Sequence, residues 1–288
     1  MKFVPLRKKK RIIELVCVVC GLIWVPLACR AEISPLEYDE AVVRSTFKIQ
    51  SGNVIGTAFI LVQQSTNKPN EGFYLLITAA HVLSAMDSTN ATLWIRVKAG
   101  DTYTKARFEF PIKTSGTNLW VRHPEGDIAV MKISLPTNID LVGISTDLLA
   151  DDKFLDDYHI HPGDELRVAG YPYGFEANDV GFGVLRSGKI SSFPLTPVSK
   201  VKTFLLDFPV FQGNSGGPVY ISERRSMKQG SVESVTIFRL MGLVTEEAIL
   251  SESVRTLSAD SVIRHQLGLG IVIHAQLIKD TIGLLPRP

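Results

Sequence analysis

The chain has 288 residues, of which 45% are hydrophobic and 21% charged, with a formal net charge of +2. That composition supplies a full hydrophobic core for one large domain or two small ones and excludes a disordered chain. There is no repeat at solenoid periods and no low-complexity segment.

The first element in chain order is a leader. Lys2, Arg7, Lys8, Lys9, Lys10 and Arg11 form a basic head, followed by an apolar run from Leu15 to Leu27. That order predicts an export signal over residues 1–31, with the mature chain at 32–288. The run is shorter than the roughly 20 apolar residues of a spanning helix. A membrane association is therefore expected only if the leader stays uncleaved or Cys29 carries a lipid. Leu27-Ala28-Cys29 loosely resembles a lipidation box, with Pro26 where that box has leucine. Residues 1–31 hold seven of the 31 basic and one of the 29 acidic residues, so the mature chain has 24 and 28, a net charge of −4. The basic balance belongs to the leader, and no nucleic-acid partner is expected. All three cysteines (Cys17, Cys20, Cys29) leave with it, so no disulfide is expected to staple the fold.

The mature chain reads as all-β, in short runs of Val, Ile, Phe, Leu and Thr between clusters of Gly, Pro, Asn and Asp. Strands are predicted at 42–49, 54–62, 73–78, 91–97, 103–110, 128–134, 165–170, 182–191, 202–208, 217–221, 235–245 and 270–273. Gln63–Gly72 and Ser222–Ser234 read as exposed loops, and Pro136–Asp164 as a strand-poor junction. Only Ala275–Leu285 reads as a helix. Twelve such strands suit a sandwich or a pair of barrels.

Three segments carry chemistry. Thr78-Ala79-Ala80-His81-Val82-Leu83 ends an apolar strand and opens a helical turn, placing an imidazole where a general base can work. Gly126-Asp127-Ile128-Ala129-Val130 puts a carboxylate at the start of a buried strand, where it could hold a histidine tautomer. In Phe211-Gln212-Gly213-Asn214-Ser215-Gly216-Gly217-Pro218, a serine stands between glycines that permit a tight, exposed turn. The Gly213–Asn214–Ser215 backbone is the candidate oxyanion hole, with the Gly213 and Ser215 N–H groups as donors.

In this order and strand context, the His, Asp and Ser segments resemble the active-site boxes of chymotrypsin-like serine proteases. They are most similar to the protease domain of the HtrA (DegP-like) family. Val168-Ala169-Gly170-Tyr171-Pro172-Tyr173-Gly174, Ser187-Gly188-Lys189-Ile190, Met241-Gly242-Leu243-Val244-Thr245 and Leu269-Gly270-Ile271-Val272-Ile273 extend the likeness over about residues 40–285. The resemblance implies two six-stranded antiparallel β-barrels, at about 40–135 and 160–275, with the active site in the cleft between them. It implies a serine endopeptidase with His81, Asp127 and Ser215 as catalytic residues, needing no cofactor or metal. Protein or peptide substrates, including unfolded ones, and a periplasmic or secreted location follow from it. Pro209, Leu243, Val244 and Thr245 are the positions expected to line the substrate pocket, with a small or medium apolar preference. Asn214 stands where digestive proteases carry an aspartate, so activation by a freed N-terminus is not expected. The PDZ domain usual in HtrA proteins is not expected after residue 288.

Other readings are weaker. Gly213-Asn214-Ser215-Gly216-Gly217 also satisfies the nucleophile elbow of α/β-hydrolases, but strand-like residues follow it and helix–strand alternation is missing. His159 and His161 with Asp156, Asp157 or Asp164 would make a poor metal set. His123 reads as a turn residue. The remaining alternative is a catalytically silent protease fold, used as a binding or chaperone-like module of the cell envelope.

Overall fold

The structure, a computed structural model, describes residues 38–64, 72–226, 234–255 and 260–286. The leader and Cys29 lie outside the described residues, as do 65–71 and 227–233 of the two segments expected to be exposed loops.

The N-terminal half contains α1 (Tyr38–Ser45), β1 (Thr46–Ser51), β2 (Val54–Gln64), β3 (Gly72–Thr78), α2 (Ala80–Ser84), β4 (Asn90–Ala99) and β5 (Thr102–Pro111). Short strands follow, β6 (Lys113–Thr114), β7 (Thr117–Asn118) and β8 (Val121–Arg122), and then β9 (Ala129–Ile133). The strands join in the order β5-β4-β1-β2-β3-β9-β8, and β10 (Ile144–Ser145) adds to β2 in parallel, making an eight-stranded sheet. A short 3₁₀ turn and α3 (Asp152–Asp157) cross the junction. The C-terminal half is a closed six-stranded barrel. It is built from β11 (Glu165–Gly170), β12 (Val184–Ile190), β13 (Thr203–Asp207), β14 (Pro218–Ser226), β15 (Ser234–Arg255) and β16 (Asp260–His274), in the order β11-β12-β13-β16-β15-β14. The final helix, α4 (Ala275–Gly283), packs back against β15 and β9. The all-β double-unit architecture with a short C-terminal helix is as the sequence predicts.

The larger boundary differences fall in three places. Residues 42–45, expected to start a strand, are the last turn of α1. Asp39 and Glu40 sit in its first turn and Arg44 in its last, each at the end of the helix dipole that favours its charge. Residues 222–226, expected in a loop, continue β14, because β15 supplies ladder partners from Ser222↔Phe238 to Ser226↔Ser234. The strands expected at 235–245 and 270–273 run on to Arg255 and back from Asp260, leaving the barrel as a two-stranded arm, Ile249–Arg255 against Asp260–Gln266.

The central strands are covered on both faces. Ala58–Leu61 of β2 and Leu75–Ile77 of β3 are fully buried, and each large side chain there contributes about 1.5–3 kcal/mol of apolar burial. Charge enters this interior through Arg96 and Asp140, whose Nε and Oδ2 are 4.0 Å apart. Arg96 of β4 is wholly buried, its guanidinium sandwiched between the rings of Phe47 and Phe182 at 4.4 and 4.5 Å. It donates to the carbonyls of Thr46, Gly181 and Arg44 and to the Tyr171 hydroxyl. A buried cation costs several kcal/mol unless paired or hydrogen-bonded, and these four bonds offset that cost. They also tie β4 to the turn that follows β11.

Candidate active site

His81 is the second residue of α2, which begins directly after the central strand β3. The helix has no side-chain cap of its own, since Ala79 precedes it. Asp127, in the β8–β9 loop, takes that role. Its Oδ1 accepts the His81 N–H at 2.8 Å, and its carbonyl accepts the Ala80 N–H at 3.2 Å. The same carboxylate reaches the ring, with Oδ2 2.5 Å from Nδ1. A carboxylate can only accept, so Nδ1 carries the proton and Nε2 is left as the basic nitrogen. Burial would push the Asp127 carboxyl up. The hydrogen bonds from the His81 ring and backbone outweigh it and hold the group below the usual aspartate value. The imidazole itself stays half exposed.

Ser215 stands on the turn before β14. Gly213 and Gly216 around it have φ of +95° and +88°. A Cβ at Gly213 would lie 2.3 Å from the Tyr171 carbonyl oxygen, and one at Gly216 2.1 Å from that of Thr57. Both positions require glycine for conformation and for space. Among the described residues no acceptor takes the N–H of Gly213 or of Ser215, which leaves both free for an incoming oxygen. Asn214 does not join them. Its N–H is used by the Phe211 carbonyl at 2.9 Å and its side chain is buried, so within the Gly213–Asn214–Ser215 segment Asn214 offers no oxyanion donor and the N–H groups of Gly213 and Ser215 remain.

His81, Asp127 and Ser215 line one cleft of about 770 Å³, with residues from both halves of the chain on its walls. Ser215 Oγ donates to the Thr245 carbonyl at 2.7 Å. Its partner in this structure is therefore a backbone oxygen of β15 rather than the imidazole.

The expected substrate-pocket residues divide. Thr245 lines the cleft. Leu243 and Val244 are wholly buried in the barrel core, where the strand's pairing to β14 and β16 keeps them, and they do not reach the cleft. Pro209 is exposed outside it, its carbonyl accepting from Arg186. The apolar lining comes from Tyr173, Val210, Phe211, Ile271 and Ile273, and it is joined by the carboxylates Glu246 and Glu247. Specificity read from Leu243 and Val244 therefore has no basis in the cleft wall. Around the alternative metal set, Asp164 is paired with Arg225. Among the described residues no group of three or more His, Cys, Asp or Glu is placed to hold a metal ion. His123 accepts the Glu125 N–H through Nδ1, which makes it a turn residue.

One contributor escapes a reading of the sequence. Thr57 of β2, wholly buried, donates through Oγ1 to the Gly213 carbonyl at 2.7 Å and accepts the Tyr171 N–H at 3.1 Å. Its own N–H goes to the Ser215 carbonyl at 2.9 Å, and its carbonyl accepts the Thr78 hydroxyl at 2.7 Å. One residue thus connects the serine turn to the end of the strand that carries His81. A threonine between Gly56 and Ala58 gives no sequence signal for that role. Tyr171 continues the chain of contacts to Arg96, and burial pushes its phenol up to about 12, so it remains a neutral donor.

Among solved structures, an inactive serine-to-alanine mutant of Rv3671c from M. tuberculosis is similar at 18% identity. The alignment covers 94% of this chain and 100% of that one, with a TM-score of 0.42. A comparison with curated proteins found no match. The family model of the trypsin-like peptidase domain matches residues 56–225, more than half of the chain. The chain belongs to that family, as a serine protease of the chymotrypsin fold.

Proposed function

We propose that this protein is a serine endopeptidase with Ser215 as nucleophile, His81 as general base and acid, and Asp127 as the group that orients His81. The observation that carries the reading is the short Asp127–His81 Nδ1 contact on the wall of a cleft that also holds Ser215 and two unused backbone N–H groups. The Ser215 hydroxyl first leaves the Thr245 carbonyl and turns toward Nε2. Its oxygen then bonds to the substrate carbonyl carbon while its proton passes to Nε2. The oxyanion that forms is met by the N–H groups of Gly213 and Ser215. Collapse breaks the C–N bond, and His81 returns the proton to the leaving amine. Water then bonds to the acyl carbon as the same imidazole takes its proton, the C–O bond to Ser215 breaks, and His81 returns the proton to Oγ. We further propose that the protein is exported, on the basic head and apolar run of residues 1–31.

Digestion of casein by the purified protein, against a Ser215→Ala control, tests this reading. Cleavage should be present in the first and absent in the second, with the two sharing one thermal midpoint, because a half-buried hydroxyl contributes little to the core. The Ser215–Thr245 bond is the one feature that favours a silent binding module. Labelling by a fluorophosphonate separates the two, since only an activated hydroxyl reacts. An unlabelled, non-cleaving protein would sink the proposal.

A further inference from the structure

We infer that Tyr173 and Phe211 form an aromatic shelf in the cleft that binds an apolar or aromatic side chain of the substrate peptide. This rests on the proteolytic reading above and adds what the substrate presents.

Tyr173 has φ 52° and ψ 25°, in the left-handed region. A bulky aromatic is disfavoured there, whereas glycine or asparagine adopts it readily. The backbone at this position is in use, because the Tyr173 N–H donates to the Gln212 carbonyl and so fixes the peptide just before Gly213. That bond needs an N–H and this conformation, and it makes no use of a ring. Nor does the ring serve the core, since the residue is 70% exposed. Among the described residues its hydroxyl has no hydrogen-bond partner.

What the ring does is stack on Phe211, with centroids 5.4 Å apart and planes 27° from parallel. The Arg186 guanidinium backs Phe211 at 5.4 Å and lies over Phe208 at 4.2 Å. This row of flat groups holds the shelf from behind. Both Tyr173 and Phe211 line the same cleft as His81 and Ser215. A strained backbone kept at a site is a pointer to use. An exposed Tyr173 ring stacked on a half-buried Phe211, in the same cleft as Ser215, fits the side chain of a bound peptide, which would cover it.

The test compares two matched peptide series that differ at one position at a time, across three residues on each side of the scissile bond. One series carries phenylalanine or leucine at that position and the other glycine. The wild type should favour the apolar peptide at one position or more. Tyr173→Asn keeps the backbone preference and removes the ring, so the apolar-over-glycine ratio of kcat/KM should fall about tenfold there, the scale of one apolar contact in a binding pocket. Tyr173→Phe should retain the ratio. The thermal midpoint of Tyr173→Asn should be unchanged or higher, because strain is relieved. An unchanged ratio in Tyr173→Asn, with cleavage intact, overturns the shelf and leaves the proteolytic reading standing. A midpoint lowered by several degrees assigns the ring to packing and likewise overturns it. Absence of cleavage by the wild type on every peptide overturns both.

Discussion

The wall that carries His81 and Asp127 and the turn that carries Ser215 are held in different ways. The first is local. Strand β3, the short helix α2 and the β8–β9 loop belong to one sheet, and Asp127 makes three bonds to the first residues of α2. The second is borrowed. The Ser215 turn is fixed by Thr57, which lies more than 150 residues earlier on the opposite half, through bonds to the carbonyls of Gly213 and Ser215. His81 and Asp127 are therefore set by the folding of one unit, and Ser215 only by the docking of two. Within that turn the hydroxyl rests on the Thr245 carbonyl.

The largest expected effect breaks the local side. Asp127→Asn keeps the shape but favours the wrong imidazole tautomer, so kcat should fall by about 10⁴-fold with a modest change in KM. Steady-state kinetics on one peptide checks it, and retained activity would move the acid's role to another carboxylate. A smaller effect breaks the borrowed side. Thr57→Val keeps the volume but removes the donor to Gly213 and the acceptor for Tyr171. A misplaced oxyanion turn should cost about 10- to 100-fold in kcat, and Thr57→Ser should restore most of it. An unimpaired Thr57→Val enzyme would show that the turn holds itself.

The smallest effect is a pH dependence. The folded carboxyl of Asp127 lies below its unfolded value near 3.8. The stability that its bonds contribute is therefore fully present above about pH 4 and is lost as pH falls through the folded value. Urea unfolding of the Ser215→Ala protein from pH 7 to 3 should show this slope, and adding Asp127→Asn should flatten it. A slope unchanged by that substitution would separate the carboxylate from the fold.

Much of this is legible in the residues, unevenly. The His, Asp and Ser segments declare themselves because catalysis demands particular residue types at strand ends. The glycines flanking Ser215 announce a turn that no larger residue can make. The pocket residues mislead because a strand is not a line of equivalent positions: Leu243 and Val244 stand beside Thr245 in sequence, but their side chains are locked in the core. The β15–β16 arm is hidden because a ribbon with Ile249, Leu250 and Val262 exposed carries no alternating burial to read. Thr57 is hidden because its contacts are all distant in sequence. The likeness to the HtrA branch in particular rests on the sequence segments alone.

The order of strands in the C-terminal barrel has a bearing on when the proposed active site can first assemble. Strand β13 finds its second partner only in β16, which follows Ser215 by two further strands. A polypeptide still emerging from the ribosome has the imidazole, the carboxylate and the serine already synthesised, yet it cannot close the cylinder that aims them. On the proposed proteolytic reading, cleavage therefore requires β16, and a copy ended before that strand should cut nothing.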